Sequence, residues 1–476
     1  MADHGESVLA IITAVKSASN SAKNIYYAIA DRPYSFACDV MLGLGEKHEI
    51  DVSALRKGHV GIDEIKQAGT ASNEEYEAAM EHIMKDYGFW EAIEAPKTIK
   101  ELKAPTKKMR PALDMAAKRL ARSIFAGGTI TVRFHNDCDG SSGAIALYEA
   151  IEELKKRIGA RDLPISWKMN RSVGYSLESF YEDYESSKAH RSMENPLVVI
   201  TDFGTMQESE GAIDASAKEH HKCDFIWLDH HPIYEGFDNY KRMLAHYINT
   251  WDFGGNSDYT AGYLTCVFAE MIAPIDTEDL RQASLIGDFS AFGKRDEKRW
   301  QKLAVVLDYL TSRRESEGAI SPKSMASIIK DRERFEETFV RASAIIQEAI
   351  DIGVNKVRHY KGRDGMNVYV LDFKHIIRED GETPLPGRFS SRLQEKMEEI
   401  SGKRTITMVH YGNYVSLRAN KDLAEEIQLL KILEGAKNSS EHIQSFGGHN
   451  PAASVRTDKE HITQVVKLIL AALGAE

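Results

Sequence analysis

Three short apolar runs in this chain each end on an acidic or imidazole side chain, and that recurrence narrows the fold more than any other feature. Thr129-Ile-Thr-Val-Arg-Phe134 leads into His135-Asn-Asp137-Cys-Asp139-Gly140-Ser141, Leu197-Val-Val-Ile-Thr201 leads into Asp202, and Phe225-Ile-Trp-Leu228 leads into Asp229-His230-His231-Pro232. Runs rich in β-branched and aromatic residues read as strands. The last two are apolar throughout, as in a parallel sheet covered on both faces. A further strand is expected at Ile165–Asn170, with helices over 113–125 and 141–158, the latter capped by Ser141 or Ser142. Strands alternating with helices predict an open α/β sheet. Strands of one parallel sheet end on the same side, where such sheets bind ligands. The polar groups can therefore converge although they lie far apart in sequence.

The chemistry of these groups is that of a hard-metal site. His135, Asp137 and Asp139 place oxygen donors and one imidazole on a turn tightened by Gly140, a set suited to Mn²⁺ or Mg²⁺. A turn or helix cap would account for that group equally well, since Asp and Gly are common in loops. Asp202 alone would more often be an N-cap than a ligand. Two adjacent histidines after Asp229 are harder to explain structurally. Asp288, in Leu285-Ile-Gly-Asp288-Phe-Ser290 after an expected helix over 278–285, is a fourth candidate, with Asp252 in reserve. Converging carboxylates and imidazoles are what a two-metal phosphoryl-transfer site requires. No constellation with a nucleophilic Ser or Cys is present.

The rest of the chain divides by pattern. Residues 1–108 read as a helical N-terminal extension, with helical stretches over 7–30 and 73–87, and the basic segment 97–110 reads as a solvated connector. Residues 109–297 form the parallel-sheet unit, and 298–350 a helical connector with charged segments at 313–317 and 331–337. Residues 351–476 form a smaller mixed α/β unit, with strands at 366–371, 405–409 and 414–417 and helices near 390–400, 423–433 and 459–473. No internal repeat or low-complexity tract is present.

The formal net charge of −11 argues against broad binding of duplex DNA, which relies on Lys and Arg neutralising phosphates. It leaves room for a local basic groove holding a few nucleotides. Cys38, Cys138, Cys223 and Cys266 are widely separated with no CxxC pair, so a zinc ribbon or thioredoxin-type site is not indicated. No apolar run nears the ~18 residues of a membrane helix, and the N-terminus lacks the pattern of a secretory signal. A cytoplasmic protein is expected.

The order HxDxDG, an Asp at a strand end, DHH and then GD resembles the DHH phosphoesterase superfamily, in particular its RecJ-like, archaeal-type branch. Ser445-Phe-Gly447-Gly448-His449 resembles the GGH signature of the C-terminal domain associated with that family, and Val415-Ser-Leu-Arg418 the strand before it. The likeness covers about residues 110–476; residues 1–108 have no counterpart in it. It implies two ions, Mn²⁺ or alternatively Mg²⁺. His135, Asp137 and Asp202 would hold one, and Asp139, Asp202, His230 and Asp288 the other. His231 would act on the scissile phosphate, Asp229 would orient the imidazoles, and Gly447, Gly448, His449, Arg418 and Arg392 would bind substrate. The implied activity is metal-dependent hydrolysis of single-stranded DNA or RNA, in a cleft between the two α/β units. Hydrolysis of short oligonucleotides or cyclic dinucleotides is the alternative, and a scaffold subunit of a replication complex a second one. A protein partner could dock on the N-terminal region.

Overall fold

The computed structural model describes residues 6–16, 24–88, 99–159, 163, 165–218, 222–234, 236–313, 320–378, 382–449 and 451–475. The chain falls into two compact units, Met1–Asp296 with Ser321–Lys323, and Glu297–Ile320 with Ser324–Glu476. Among the described residues no helix is long and apolar enough to cross a membrane.

The N-terminal region is a sheet, which corrects the helical extension expected there. Strands β1 (Ser7–Lys16), β2 (Ile25–Ile29), β3 (Pro33–Cys38), β4 (Glu46–Asp51), β5 (His59–Val60) and β6 (Ile65–Thr70) run in the order β5-β3-β2-β1-β4-β6. The stretch expected as one helix over 7–30 supplies β1 and β2, apart from residues 17–23, which lie outside the described residues. Ile11, Ile12, Thr13, Val15, Ile25, Tyr26 and Tyr27 favour strands. Helix α1 (Val52–Lys57) is short. Helix α2 (Asn73–Asp86) forms as expected, started by a reciprocal cap between Ser72 and Glu75.

Helix α3 (Lys103–Phe125) begins ten residues before the expected helix and absorbs most of the supposed connector, whose Lys97 and Thr98 lie outside the described residues. Its buried positions Thr106, Met109, Leu113, Ala116, Ala117 and Leu120 recur at helical spacing, with lysines outward. Pro111 sits inside this helix. It removes a hydrogen bond to a carbonyl on the exposed Lys107 turn, where water can replace the donor.

A parallel sheet follows, built from β7 (Ile130–His135), β8 (Ile165–Asn170), β10 (Leu197–Thr201), β11 (Asp224–Asp229) and β12 (His246–Asn249), while the intervening β9 (His190–Ser192) joins the first sheet. Its order is β12-β11-β10-β7-β8, with every pair parallel. Register aligns Phe134 with Thr201 and Thr201 with Leu228. The next residues, His135, Asp202 and Asp229, thus emerge together at one edge. The chain runs from β7 outward to β8 and then back to β10, so the topological switch lies between β7 and β10, where open α/β sheets place ligands. Helices α4 (Cys138–Ile158), α5 (Leu177–Ser187), α6 (Glu210–Ser216), α7 (Asp238–Lys241), α8 (Ala261–Glu270) and α9 (Glu278–Gly287) complete this region.

Strand β9 pairs with β1, setting His190 against Lys16. Glu194 accepts from the Tyr76 hydroxyl at 2.6 Å and from Arg122 at 2.8 Å, and Arg122 also holds Glu77 at 2.6 Å. The N-terminal sheet and α2 are therefore fastened to the parallel-sheet region.

In the second unit, α10 (Lys298–Ser312), α11 (Pro322–Lys330) and α12 (Arg332–Lys356) stand where one helical connector was expected. Residues 314–319, most of its first charged segment, lie outside the described residues. Asp331, in the second segment, caps α12 by accepting from Glu333 and Arg334 N–H groups. A mixed sheet contains β13 (Arg358–Lys361), β14 (Asn367–Asp372), β15 (Thr405–Tyr411), β16 (Tyr414–Ala419), β17 (Ile443–His449) and β18 (Ala452–Thr457), ordered β13-β14-β15-β16-β18-β17. Its helices are α13 (Pro386–Ser401), α14 (Lys421–Ile427), α15 (Leu429–Asn438) and α16 (Ile462–Ala472). The single helix expected over 423–433 is broken at Gln428, whose φ is +53°.

Candidate metal centre

The first motif turns directly from strand to helix. His135 closes β7, and Asp137 rather than Ser141 or Ser142 caps α4, accepting from the Gly140 N–H at 2.9 Å. The other Asp137 oxygen lies 2.6 Å from His135 Nδ1. Gly140 is required by close approach, because a Cβ there would stand 2.5 Å from the His135 carbonyl oxygen. Asp139 points the other way, to the N-terminus of α8. It accepts from the Ala261 N–H at 2.9 Å, the Gly262 N–H at 3.0 Å and the Ser284 hydroxyl.

Asp202 occupies the switch point. It is 2% exposed and has a left-handed φ of +67°, a conformation that a non-glycine residue holds at some cost. One carboxylate oxygen, Oδ1, is 3.4 Å from His230 Nε2. The other, Oδ2, is 3.6 Å from His135 Nδ1 and, although buried, makes no hydrogen bond among the described residues. Burial opposes its charge, yet the His135 and His230 imidazoles outweigh it and hold the Asp202 pKa well below the ordinary range. Burial likewise opposes charging His135 and His230, but the surrounding carboxylates raise both above the usual histidine value.

The two histidines after β11 are each oriented by a hydrogen bond. His230 Nδ1 is 3.0 Å from the Ser257 carbonyl, which only an N–H can satisfy, so Nε2 is left facing Asp202 and Asp139, the latter at 3.8 Å. His231 Nδ1 is 2.8 Å from Asp229 Oδ1. Asp229 is fully buried and also accepts from the His230 and His231 N–H groups and from the Thr205 N–H and hydroxyl. Sequence reading missed Thr205, Ser257 and Ser284; isolated hydroxyl residues in loops carry no readable spacing.

Asp288 follows α9, with its carboxylate 3.8 Å from His230 Nδ1. Burial, reinforced by Asp202 and Asp137 and opposed by His230, pushes its pKa up to about 6. The reserve candidate Asp252 is instead paired with Lys241 at 2.9 Å.

Among the described residues, two groups of donor atoms come close enough to hold an ion each, His135 with Asp137 and Asp202, and Asp202 with His230 and His231. Asp202 is common to both. The first matches the expected set. The second has His231 where Asp139 and Asp288 were expected, since Asp139 is engaged by α8 and Asp288 stands beside His230 Nδ1. The buried Asp202 oxygen without a hydrogen-bond partner among the described residues, with the Asp137 carboxylate and the imidazoles around it, fits a divalent cation such as Mn²⁺.

The remaining expected residues lie in the second unit. Gly447, Gly448 and His449 end β17, and Gly448 has φ +110°, with no room for a Cβ beside the Ala452 carbonyl. In register, His449 and Arg418 both flank Ala452 of β18. Arg418 Nε donates to Ser391 Oγ at 3.2 Å, and Arg392 is paired with Glu395 at 2.7 Å.

No known family profile matches the chain. An uncharacterised protein of Methanocaldococcus jannaschii, MJ1198, is 28% identical over 218 residues, which is 43% of this chain; the match spans only 28% of that relative's length. The solved DHH domain of PF0399, described as a member of the s1p family of ribosomal proteins, has a TM-score of 0.66 at 22% identity and covers 77% of this chain and 91% of that one. RecJ of Thermus thermophilus, solved with Mn²⁺, gives a TM-score of 0.47 at 14% identity, covering 76% of this chain and 54% of RecJ. The chain has the fold of DHH-domain proteins, the superfamily that its ordered motifs resemble.

Proposed function

We propose that this protein is a metal-dependent phosphodiesterase that hydrolyses single-stranded nucleic acid. The observation that carries the reading is Asp202, a buried carboxylate in a strained conformation shared by two potential cation groups, with one oxygen that no donor among the described residues satisfies. His135, Asp137 and Asp202 would hold one divalent cation, Mn²⁺ or Mg²⁺. Asp202 and the Nε2 of His230 would hold a second, with Asp139, held by α8, and Asp288, beside Nδ1, adding negative charge near that ring. Such a pair supplies an activated water and neutralises charge on the phosphoryl oxygens.

The chain's own residues supply the rest. Burial opposes charging His231, but Asp229 accepts from its Nδ1 and raises its pKa overall, which favours the ring with an Nε2–H that would donate to a phosphoryl oxygen. Ser257 and Asp229 fix the ring orientations before substrate arrives. In the second unit, the paired glycines before His449 would bind a phosphate of the strand, with Arg418 across β18 as a further donor.

Hydrolysis of end-labelled DNA and RNA, from dinucleotides to long single strands, in Mn²⁺ and in chelator, tests this reading. Manganese-dependent laddering of long strands is expected. Cleavage limited to the shortest oligomers would move the substrate to short oligonucleotides or cyclic dinucleotides. No cleavage at any length would reject the enzymatic reading in favour of a scaffold.

A further inference from the structure

Among the described residues, Trp251 and Phe289 are exposed aromatic side chains, the first bonded to the His230 carbonyl and the second directly after Asp288, whose carboxylate stands beside His230. Trp251 is 42% exposed and Phe289 39%. An isolated exposed ring is ordinary on a protein surface. These two are distinguished by how the candidate metal centre fixes them.

The Trp251 indole N–H donates to the His230 carbonyl at 2.9 Å, and its backbone N–H donates to Asn249 Oδ1 at 3.1 Å. Asn249 in turn donates from Nδ2 to the His231 carbonyl at 3.0 Å. The indole is thus tied to the backbone of both histidines while much of its surface faces solvent.

Phe289 directly follows Asp288 and is held at φ +56°, the left-handed region that a phenylalanine rarely adopts. Its loop is stitched to the one carrying Trp251. Ser290 Oγ donates to the Asp258 carbonyl and the Ala291 N–H to Asp258 Oδ1, both at 2.7 Å, and the neighbouring Ser257 carbonyl binds His230. The backbone strain is therefore not spent on burying the ring. The Arg295 guanidinium stands 5.4 Å from the Phe289 ring centre, and both Arg295 and Lys294 are exposed. Lys108 of α3 reaches the loop after Trp251, its Nζ 3.2 Å from where a Cβ on Gly254 would stand.

Two anchored, solvent-facing rings with cations nearby, next to a candidate phosphodiester-cleaving centre, match the chemistry of unpaired nucleobases joined by phosphates. Bases stack on aromatic faces while lysine and arginine meet the backbone. We propose that Trp251 and Phe289 are stacking platforms for bases flanking the scissile phosphate, so that the site selects single strands over duplex, whose bases are already stacked on one another. This rests on the phosphodiesterase reading of the same centre.

The test is binding of a labelled single-stranded oligonucleotide to the full chain in Ca²⁺, read by fluorescence anisotropy, with a matched strand bearing abasic sites. The proteins are the wild type, Trp251→Ala, Phe289→Ala, and the ring-retaining Trp251→Tyr and Phe289→Tyr. Each alanine variant is expected to bind the normal strand about 5- to 150-fold more weakly than wild type. It should match wild type on the abasic strand, and the tyrosine variants should keep most of the affinity. Equal binding of the normal strand by alanine variants and wild type overturns the proposal. So does an equal loss on the abasic strand, or a wild type that binds neither strand. If the expected pattern appears but the wild type cleaves nothing in Mn²⁺, stacking stands and the phosphodiesterase reading falls.

Discussion

His231 Nδ1 lies 2.8 Å from Asp229 Oδ1, and Asp229 also accepts from the His230 and His231 N–H groups and from the Thr205 N–H and hydroxyl. An asparagine in its place would turn an NH₂ toward one set of donors. Asp229→Asn should therefore cost about 1–3 kcal/mol of stability through unsatisfied buried groups and lower kcat about 10- to 100-fold through loss of histidine orientation. Burial depresses the His231 pKa and Asp229 raises it, with a net rise. Without the carboxylate, His231 gives up its proton at lower pH, so the alkaline limb of the kcat profile should move downward. An unchanged limb would show that His231 does not act as a proton-bearing donor.

Asp202 makes a separate prediction about cations. Asparagine tolerates left-handed φ better than most residues, so Asp202→Asn should keep the native circular dichroism spectrum. In the wild type, Mn²⁺ should raise the thermal midpoint, since a ligand at a hundred times its Kd stabilises by about 2.7 kcal/mol. The variant should lose most of that rise because both donor groups include Asp202. An equal rise in both proteins would place the cations elsewhere.

The parts of the centre readable from sequence were those attached to strand ends. β10 was bounded correctly because a continuous apolar run can only be a covered strand or a helix, and five residues are too few for a helix. The same logic failed in β1. Ala10, Ile11, Ile12, Thr13 and Ala14 are all nearly inaccessible, so neither a two-residue nor a helical period appears. Gln428 broke a helix without glycine or asparagine to announce it. Asp137 displaced the serines as cap of α4 because a cap is chosen by where the strand ends, which the sequence places only within a few residues. The exposed rings of Trp251 and Phe289 had no signal, since exposure of a single aromatic is a tertiary fact.

His190 should make the junction of the N-terminal sheet pH-sensitive. Its Nε2 is 2.5 Å from the Gly127 carbonyl, so Nε2 carries the proton, while buried Nδ1 has no hydrogen-bond partner among the described residues. Burial lowers its pKa below 6.5, only partly offset by the Gly127 bond. The unfolded chain then binds more protons than the native one in the window between the two values. Stability is full above pH 6.5 and declines as pH falls toward the depressed native value. His190→Gln should flatten this part of the profile of thermal midpoint against pH. A profile identical to wild type would assign the acid sensitivity to other groups.

Gly140 packs against the backbone of His135, which makes it an informative substitution. A Cβ at Gly140 would stand 2.5 Å from the His135 carbonyl oxygen and 2.7 Å from its nitrogen, neither of which can swing aside as a side chain can. Gly140→Ala must therefore displace His135 or the start of α4, which carries Asp137 and Asp139. Overpacking of this kind costs about 1–3 kcal/mol, and a shift of about 1 Å in a catalytic group can cost about 100-fold in rate. Gly211→Ala in α6 is the control, since its added methyl meets nothing nearer than 3.8 Å. Alanine in a helix should there add a few tenths to about 1 kcal/mol of stability and leave turnover unchanged. Thermal melts and kcat for the two variants, measured side by side, separate a positional effect at His135 from the general effect of a methyl group. Wild-type turnover in Gly140→Ala would mean that the strand-to-helix turn does not set the geometry of the centre.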